Sequence, residues 1–436
     1  MRMKLTHVAW FRRANTPQLT VCRAFVLQDN HECIHCYESK TIPAFSGTAN
    51  EAKGENVIYK DFQITLAVAA MATIGTVYGW SSTAAVLQLT KDLSTPQLLL
   101  PFGVLLIGIG AGVAMSSFML TPFGYGKTIA MGLALWGISL LVGSIITFDF
   151  GFSTSVAALG IPGGIGVGTS YVTLIGLFRR LFPNANIVGG LIGPLGFACG
   201  AIAITLAQRA SPSETGAMQV YAGLGTTALL LSALVSRYLS DFSNADLPKR
   251  VSDSREKLRD FIYLWTLLFL NVAPGMALVA IAVPWLQATR SMTSGDAMLA
   301  LCSSLPALPL GQMMWGLIAS RHGDKTVFTW MFILRMFAFG IAAWTPSSVS
   351  PLLLLVVTLA CHGGGFGLIP RKVESSNLRG SPHALGGVLT AWAVGGGFGI
   401  WLILPTAIHT ANSEGYVGLA LTMSAGALLS SRLRRR

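Results

Sequence analysis

The sequence predicts an all-α, polytopic membrane protein made of two pseudo-symmetric six-helix halves, and three observations carry that expectation. Of the 436 residues, 52% are hydrophobic and only 11% are charged, whereas a soluble domain carries about 25% charged residues. About twelve apolar runs are long enough to cross a bilayer, for which a helix needs roughly 20 residues. The chain also echoes itself. From Gly112 it reads GVAMSSFMLTPFGYGKT, and from Gly311, 199 residues later, GQMMWGLIASRHGDKT. In both, a second glycine follows the first by twelve residues, and Lys-Thr comes soon after. GGLIGPLGFACG from Gly189 and GGVLTAWAVGGG from Gly386 form a second echo, at an offset of 197. Duplication of one membrane half-unit around a central path explains both.

Taken in order, the runs of the first half are 62–89, 98–119, 127–147, 153–176, 187–208 and 217–237. Those of the second half are 259–286, 296–319, 326–345, 350–369, 384–404 and 413–431, the last being the least apolar. Each is read as a helix, because lipid cannot satisfy open backbone groups. Pro194, Pro274 and Pro284 fall inside runs, where each removes a backbone hydrogen bond and bends the helix. Gly164, Gly166 and Gly168, and then Gly189, Gly193, Gly196 and Gly200, make small faces along which membrane helices approach closely.

The net charge of +12 suggests nucleic acid only until its distribution is drawn. Of the 30 Lys and Arg, 26 fall on one side of the predicted topology: the first 60 residues, the loops after even-numbered runs and the C-terminal tail. Lys91, Arg209 and Arg290 fall on the other, and Arg335 lies within a run. Positive loops stay in the cytoplasm, so both termini are expected there, in a plasma or inner membrane. The bilayer is the implied macroscopic partner, and nucleic acid is not one. Residues 1–60 are predicted to be a disordered cytoplasmic tail with no secretory leader, since no apolar stretch follows its basic start. Residues 61–237 form the first bundle, 238–260 a polar cytoplasmic linker and 261–436 the second bundle. His31, Cys33, His35 and Cys36 offer zinc-ligand types, but the spacing is cramped and no second pair follows. No metal and no cofactor are therefore expected. The six cysteines lie in runs or in the reducing tail, which gives no disulfide framework.

Four segments carry a resemblance. They are Tyr78-Gly79-Trp80-Ser81 in the first run, GIGVGTSYVTLIGLFRRLFPNANIVGG from Gly164, LFLNVAPGMAL from Leu268 and LTAWAVGGGFG from Leu389. Their order and content resemble the oxalate/formate antiporter family of the major facilitator superfamily. The resemblance implies the major facilitator fold, a monomer, and a path lined by the aromatic residues Tyr78, Trp80, Tyr171 and Trp392. In that family an Arg on the eighth helix and a Lys on the eleventh grip a dianion. The matching places here hold Gln312 and Trp392, so a dicarboxylate would be buried without partners at great cost. Gln312 both donates and accepts hydrogen bonds, which suits a monocarboxylate, a neutral polar solute or a protonated acid. The superfamily's loop signature carries an Asp where this chain has Ser320, and the first copy has Thr121 there. A weak charge latch is the expectation.

Ionisable residues at membrane depth are functional candidates by default. No Asp or Glu sits at the centre of a run, and no Gly-x-x-x-x-Gly-Lys-Ser/Thr occurs. A buried carboxylate proton relay and an ATP-driven engine are thus disfavoured. No nucleophile–base pair points to an enzyme. Arg335 and His362 are the charged or titratable groups at depth, and Asn271 is a polar one. Histidine titrates near neutral pH, so His362 is read either as a coupling or binding group or as a structural one. The sequence thus predicts a secondary transporter working by alternating access on a small organic anion such as a monocarboxylate. The expected substrate-binding residues are Tyr78, Trp80, Tyr171, Asn271, Gln312, His362 and Trp392. A non-transporting sensor or scaffold on the same fold is the alternative.

Overall fold

The computed structural model describes residues 4–12, 18–26, 42–43, 49–91, 93–149, 159–182, 188–239, 254–345, 350–379, 383–408 and 413–432. Two compact units divide between Phe62 and Gln63. In the first, strands Lys4–Arg12 and Gln18–Val26 pair antiparallel, and Ile42–Pro43 lies beside the second strand. These strands lie in the stretch read as a tail, ahead of the helical part of the chain. The runs LTHVAWF and LTVCRAFV are rich in β-branched and aromatic residues, and Pro17 stands between them. That is a hairpin pattern. The His31–Cys36 group lies outside the described residues.

The second unit is helical. Ten helices are long and apolar enough to cross a membrane. One of them, Thr95–Ile145, is two crossings, because Gly124 breaks it with φ 70°. Glu414–Ser431 follows as a shorter, less apolar helix. The first helix is Lys60–Thr90, and the second and third cover 95–123 and 125–145. The fourth to sixth are Ile161–Leu181, Leu191–Ala210 and Glu214–Tyr238. The seventh to ninth are Ser254–Arg290, Ser294–His322 and Asp324–Trp344. The tenth and eleventh are Pro351–Ser375 and Ala384–Ile403, and Glu414–Ser431 is the twelfth. Each overlaps its expected run. The described fourth helix runs from Ile161 with Pro162 in its first turn, where proline is well tolerated; the expected start at 153 lies outside the described residues.

The duplication is legible in backbone contacts. A Cβ on Gly196 or Gly200 of the fifth helix would meet the carbonyl oxygens of Val68 and Ala72 on the first. A Cβ on Gly395 or Gly399 of the eleventh would meet those of Phe269 and Ala273 on the seventh. The two glycine pairs are offset by 199 residues and their carbonyl partners by 201. Likewise Gly112 of the second helix abuts the Ile165 carbonyl on the fourth, and Gly311 of the eighth abuts the Ala360 carbonyl on the tenth. Only glycine lets helices cross this closely. Gly124 and Gly323, which close the first echo in its two copies, are the described glycines with positive φ, at 70° and 81°. Both turn the chain into the next helix through a left-handed geometry that side chains resist.

The loop signature also gains its acid from an unexpected position. Asp324, four residues after Ser320, pairs with Arg371 and, at 3.1 Å, with Lys372 on the tenth helix. The charge missing at Ser320 is thus supplied from the start of the ninth helix.

Candidate functional site

Tyr78, Tyr171, Gln312, His362 and Trp392, five of the seven expected residues, line one void in the middle of the bundle. Its cavity volume is about 30 Å³, room for about two waters. Local breaks in the helices place several of these side chains. The first helix tightens to a 3₁₀ turn over Thr76–Gly79, which carries Tyr78. The eighth pauses at Leu305 and Pro306, one to two turns before Gln312. The eleventh pauses at Thr390, just before Trp392. Short 3₁₀ stretches within helices often mark hinges.

The walls are aromatic. Trp392 lies 5.0 Å from Tyr171 and 5.4 Å from Phe366 between ring centres, and Tyr78 meets Phe197 edge-on at 4.7 Å. These separations suit rings packed edge to face. Phe197 and Phe366 were not anticipated from the sequence. Each follows a glycine that packs against another helix: Gly196 on Val68, and Gly365 on Asn271. One residue further is a turn of about 100°, which brings the ring round to the void. A ring directly after a packed glycine was the signal available.

One hydrogen bond crosses the void. Tyr78 Oη lies 2.8 Å from His362 Nε2, and the two residues are 3% and 1% exposed. His362 Nδ1 and Trp392 Nε1 are buried without a partner that meets hydrogen-bond geometry. No side chain lining the void is an acid, Lys or Arg.

Asn271 and Trp80 lie elsewhere. Trp80 donates its indole N–H to the Leu98 carbonyl at 3.0 Å and stacks on Phe102, so it braces the first helix against the second. Asn271 stands behind the wall. Its Nδ2 donates to the His362 carbonyl at 3.2 Å, and its Oδ1 accepts from Arg335 Nη2 at 2.7 Å. Arg335 Nη1 donates to the Asn271 backbone carbonyl at 2.8 Å, and Nε to that of Met331 at 3.2 Å. The seventh and tenth helices interlock here. A Cβ on Gly365 would strike the Asn271 amide, and one on Gly275 would strike the His362 ring. Arg335 and Asn271 thus anchor the His362 backbone from behind, while the His362 ring separately meets Tyr78 of the first helix.

Contacts between the two halves lie on both sides of the void. At the end that carries the Gly124 and Gly323 turns, Arg179 of the fourth helix pairs with Glu374 of the tenth. Ser117 Oγ also meets His383 Nδ1 at 2.7 Å. At the other end Arg209 Nε donates to the Gly295 carbonyl at 3.2 Å, and Ala84, Leu98 and Leu99 face Ala280, Ile281 and Trp285. Each contact joins an element before residue 240 to one after 253. The two halves thus meet on both sides of the void.

No family model and no curated protein matches this chain. Solved structures do. The proton:xylose symporter XylE bound to 6-bromo-6-deoxy-D-glucose, described as a major facilitator superfamily protein, aligns with a TM-score of 0.64 at 17% identity, over 86% of this chain and 95% of that one. The xylose transporter XylE from E. coli, in a partially occluded inward-open conformation, gives 0.65 at 15%, over 87% and 100%. A mutant of the nucleoside transporter NupG gives 0.59 at 14%, over 85% and 98%. At these identities the likeness speaks for architecture, and with the ten membrane-length helices among the described residues and the duplicated contacts it establishes that this chain has the major facilitator fold.

Proposed function

We propose that the chain is a secondary transporter that carries a small organic monocarboxylate by alternating access. The observation that carries the reading is the central chamber. One jaw is Tyr78, Tyr171 and Phe197 from the first half, and the other is Gln312, His362, Phe366 and Trp392 from the second. Separating the halves at either end exposes the same site to one face of the membrane, as two-repeat transporters require. Exchange is favoured over a carboxylate proton relay, since no Asp or Glu among the described residues is buried. The charge bias supports cytoplasmic termini in a plasma or inner membrane, with a monomer as the working unit. The resemblance to oxalate/formate antiporters supports a carboxylate, and the neutral residues at Gln312 and Trp392 support one charge rather than two.

A neutral polar solute is the second reading. The structural relatives are named for xylose and nucleoside, and the Tyr78 and Tyr171 hydroxyls with the Gln312 amide can bond hydroxyl groups. Uptake into vesicles containing the purified protein, with labelled formate, acetate, lactate, oxalate, xylose and uridine, separates the readings. Saturable flux of a monocarboxylate well above oxalate and the two neutral solutes is the expected result. Flux of xylose or uridine alone selects the second reading, and no flux above protein-free vesicles returns the sensor or scaffold.

A further inference from the structure

Arg335 and His362 are the only buried Arg, Lys, His, Asp or Glu side chains among the described residues. Arg335 is fully buried, and its three hydrogen bonds all end on neutral oxygens, two of them on Asn271. The acids whose burial is described, Asp61, Glu214, Glu256, Asp260, Asp296, Asp324, Glu374 and Glu414, are all half-buried or exposed and sit near helix ends. A cation held at membrane depth without a counter-charge is costly. Hydrogen bonds to Asn271 and a face over Phe332, 5.3 Å from the ring centre, satisfy its geometry but leave its charge. Asn271 hands that charge toward the void, because its amide is oriented by Arg335 at one end and donates to the His362 carbonyl at the other.

We propose that Arg335 sets the charge of the solute. It is a specificity-determining residue that acts through Asn271 and His362 without touching the passenger. The void has no acid, Lys or Arg in its lining, so the buried guanidinium behind its wall biases it positive, and a single negative charge on the solute completes it. Two negative charges would leave an excess, and none would leave the guanidinium uncompensated. The inference rests on the monocarboxylate reading and names what enforces it. Coulomb's law at an effective dielectric of about 20 keeps such a field appreciable across a neighbouring helix.

The test compares acids with their own amides: formate, acetate and lactate against formamide, acetamide and lactamide, as competitors of labelled uptake in vesicles. Wild-type protein is expected to prefer the acid. Arg335→Gln removes the charge, and the acid-to-amide preference should fall about tenfold, equivalent to ~1.4 kcal/mol. Arg335→Lys keeps the charge without the two-pronged grip and should keep most of the preference. Should Arg335→Gln fail to fold, Asn271→Asp places a carboxylate against the guanidinium and neutralises it in place, with the same loss expected. A purely structural role would move acid and amide together and leave their ratio fixed. Unchanged ratios in a folded Arg335→Gln or Asn271→Asp protein overturn the inference while leaving the transporter reading intact. A wild-type protein that transports no acid overturns both.

Discussion

Tyr78→Phe is the perturbation whose outcome depends most directly on the central void. It removes one hydroxyl and almost no volume. The bond it breaks is 2.8 Å long, between groups 3% and 1% exposed. His362 already has its other nitrogen without a partner, so the variant leaves the whole imidazole unsatisfied in the closed form. Stranding one buried polar group costs about 1–3 kcal/mol. In a form open to either side, water reaches both residues and the cost disappears. The loss therefore falls on the closed form alone, and its population relative to the open forms should drop by roughly 5- to 150-fold. Spin-label pairs on a cysteine-free background report this. One pair, at Phe123 and Arg321, watches the end with the glycine turns; the other, at Ala210 and Arg290, watches the opposite end. At least one distance distribution should move to longer separations in Tyr78→Phe. The same change made on top of His362→Leu should add nothing. Distributions identical to wild type at both ends would show that the bond does not hold the halves together.

Two further outcomes follow from the packing. Arg179→Glu or Glu374→Arg should loosen the end with the glycine turns, and the double exchange should restore it. Because the two side chains are 34% and 59% exposed, each single change is worth no more than about 1 kcal/mol, and the same Phe123–Arg321 distance reads it. Gly200→Ala and its counterpart Gly399→Ala each drive a methyl into a carbonyl oxygen of the facing helix, so each should destabilise by about 1–3 kcal/mol. Gly340→Ala, with open space around it, should not, and thermal unfolding in detergent compares the three.

The crossings were legible because span length and charge bias are bilayer constraints, which act on the chain before any packing does. The repeat was legible because glycine at a helix crossing cannot be exchanged for anything with a side chain: Gly112 and Gly311 mark the same contact in both halves. The site was legible only in part. Tyr78, Tyr171 and Trp392 share an aromatic character that suits a chamber wall, and they meet there. Trp80 has the same character but faces away, because residues two apart on a helix point about 200° apart. Asn271 read equally well as solute ligand or helix contact. The deciding fact was Arg335, 64 residues away in sequence, which no periodicity connects to it. Asp324 was overlooked as the latch acid because the signature fixes attention on Ser320, whereas the ion pair depends on where the tenth helix ends.

The paired jaws of the chamber carry one more implication. A passenger touches both sets of rings only at the midpoint of its journey; before and after, half of its surroundings have been replaced by water. The grip therefore peaks in the intermediate that is hardest to reach, which is how an enzyme treats its activated complex. Compounds shaped to fill the sealed form should bind more tightly than anything the protein carries and should arrest it midway.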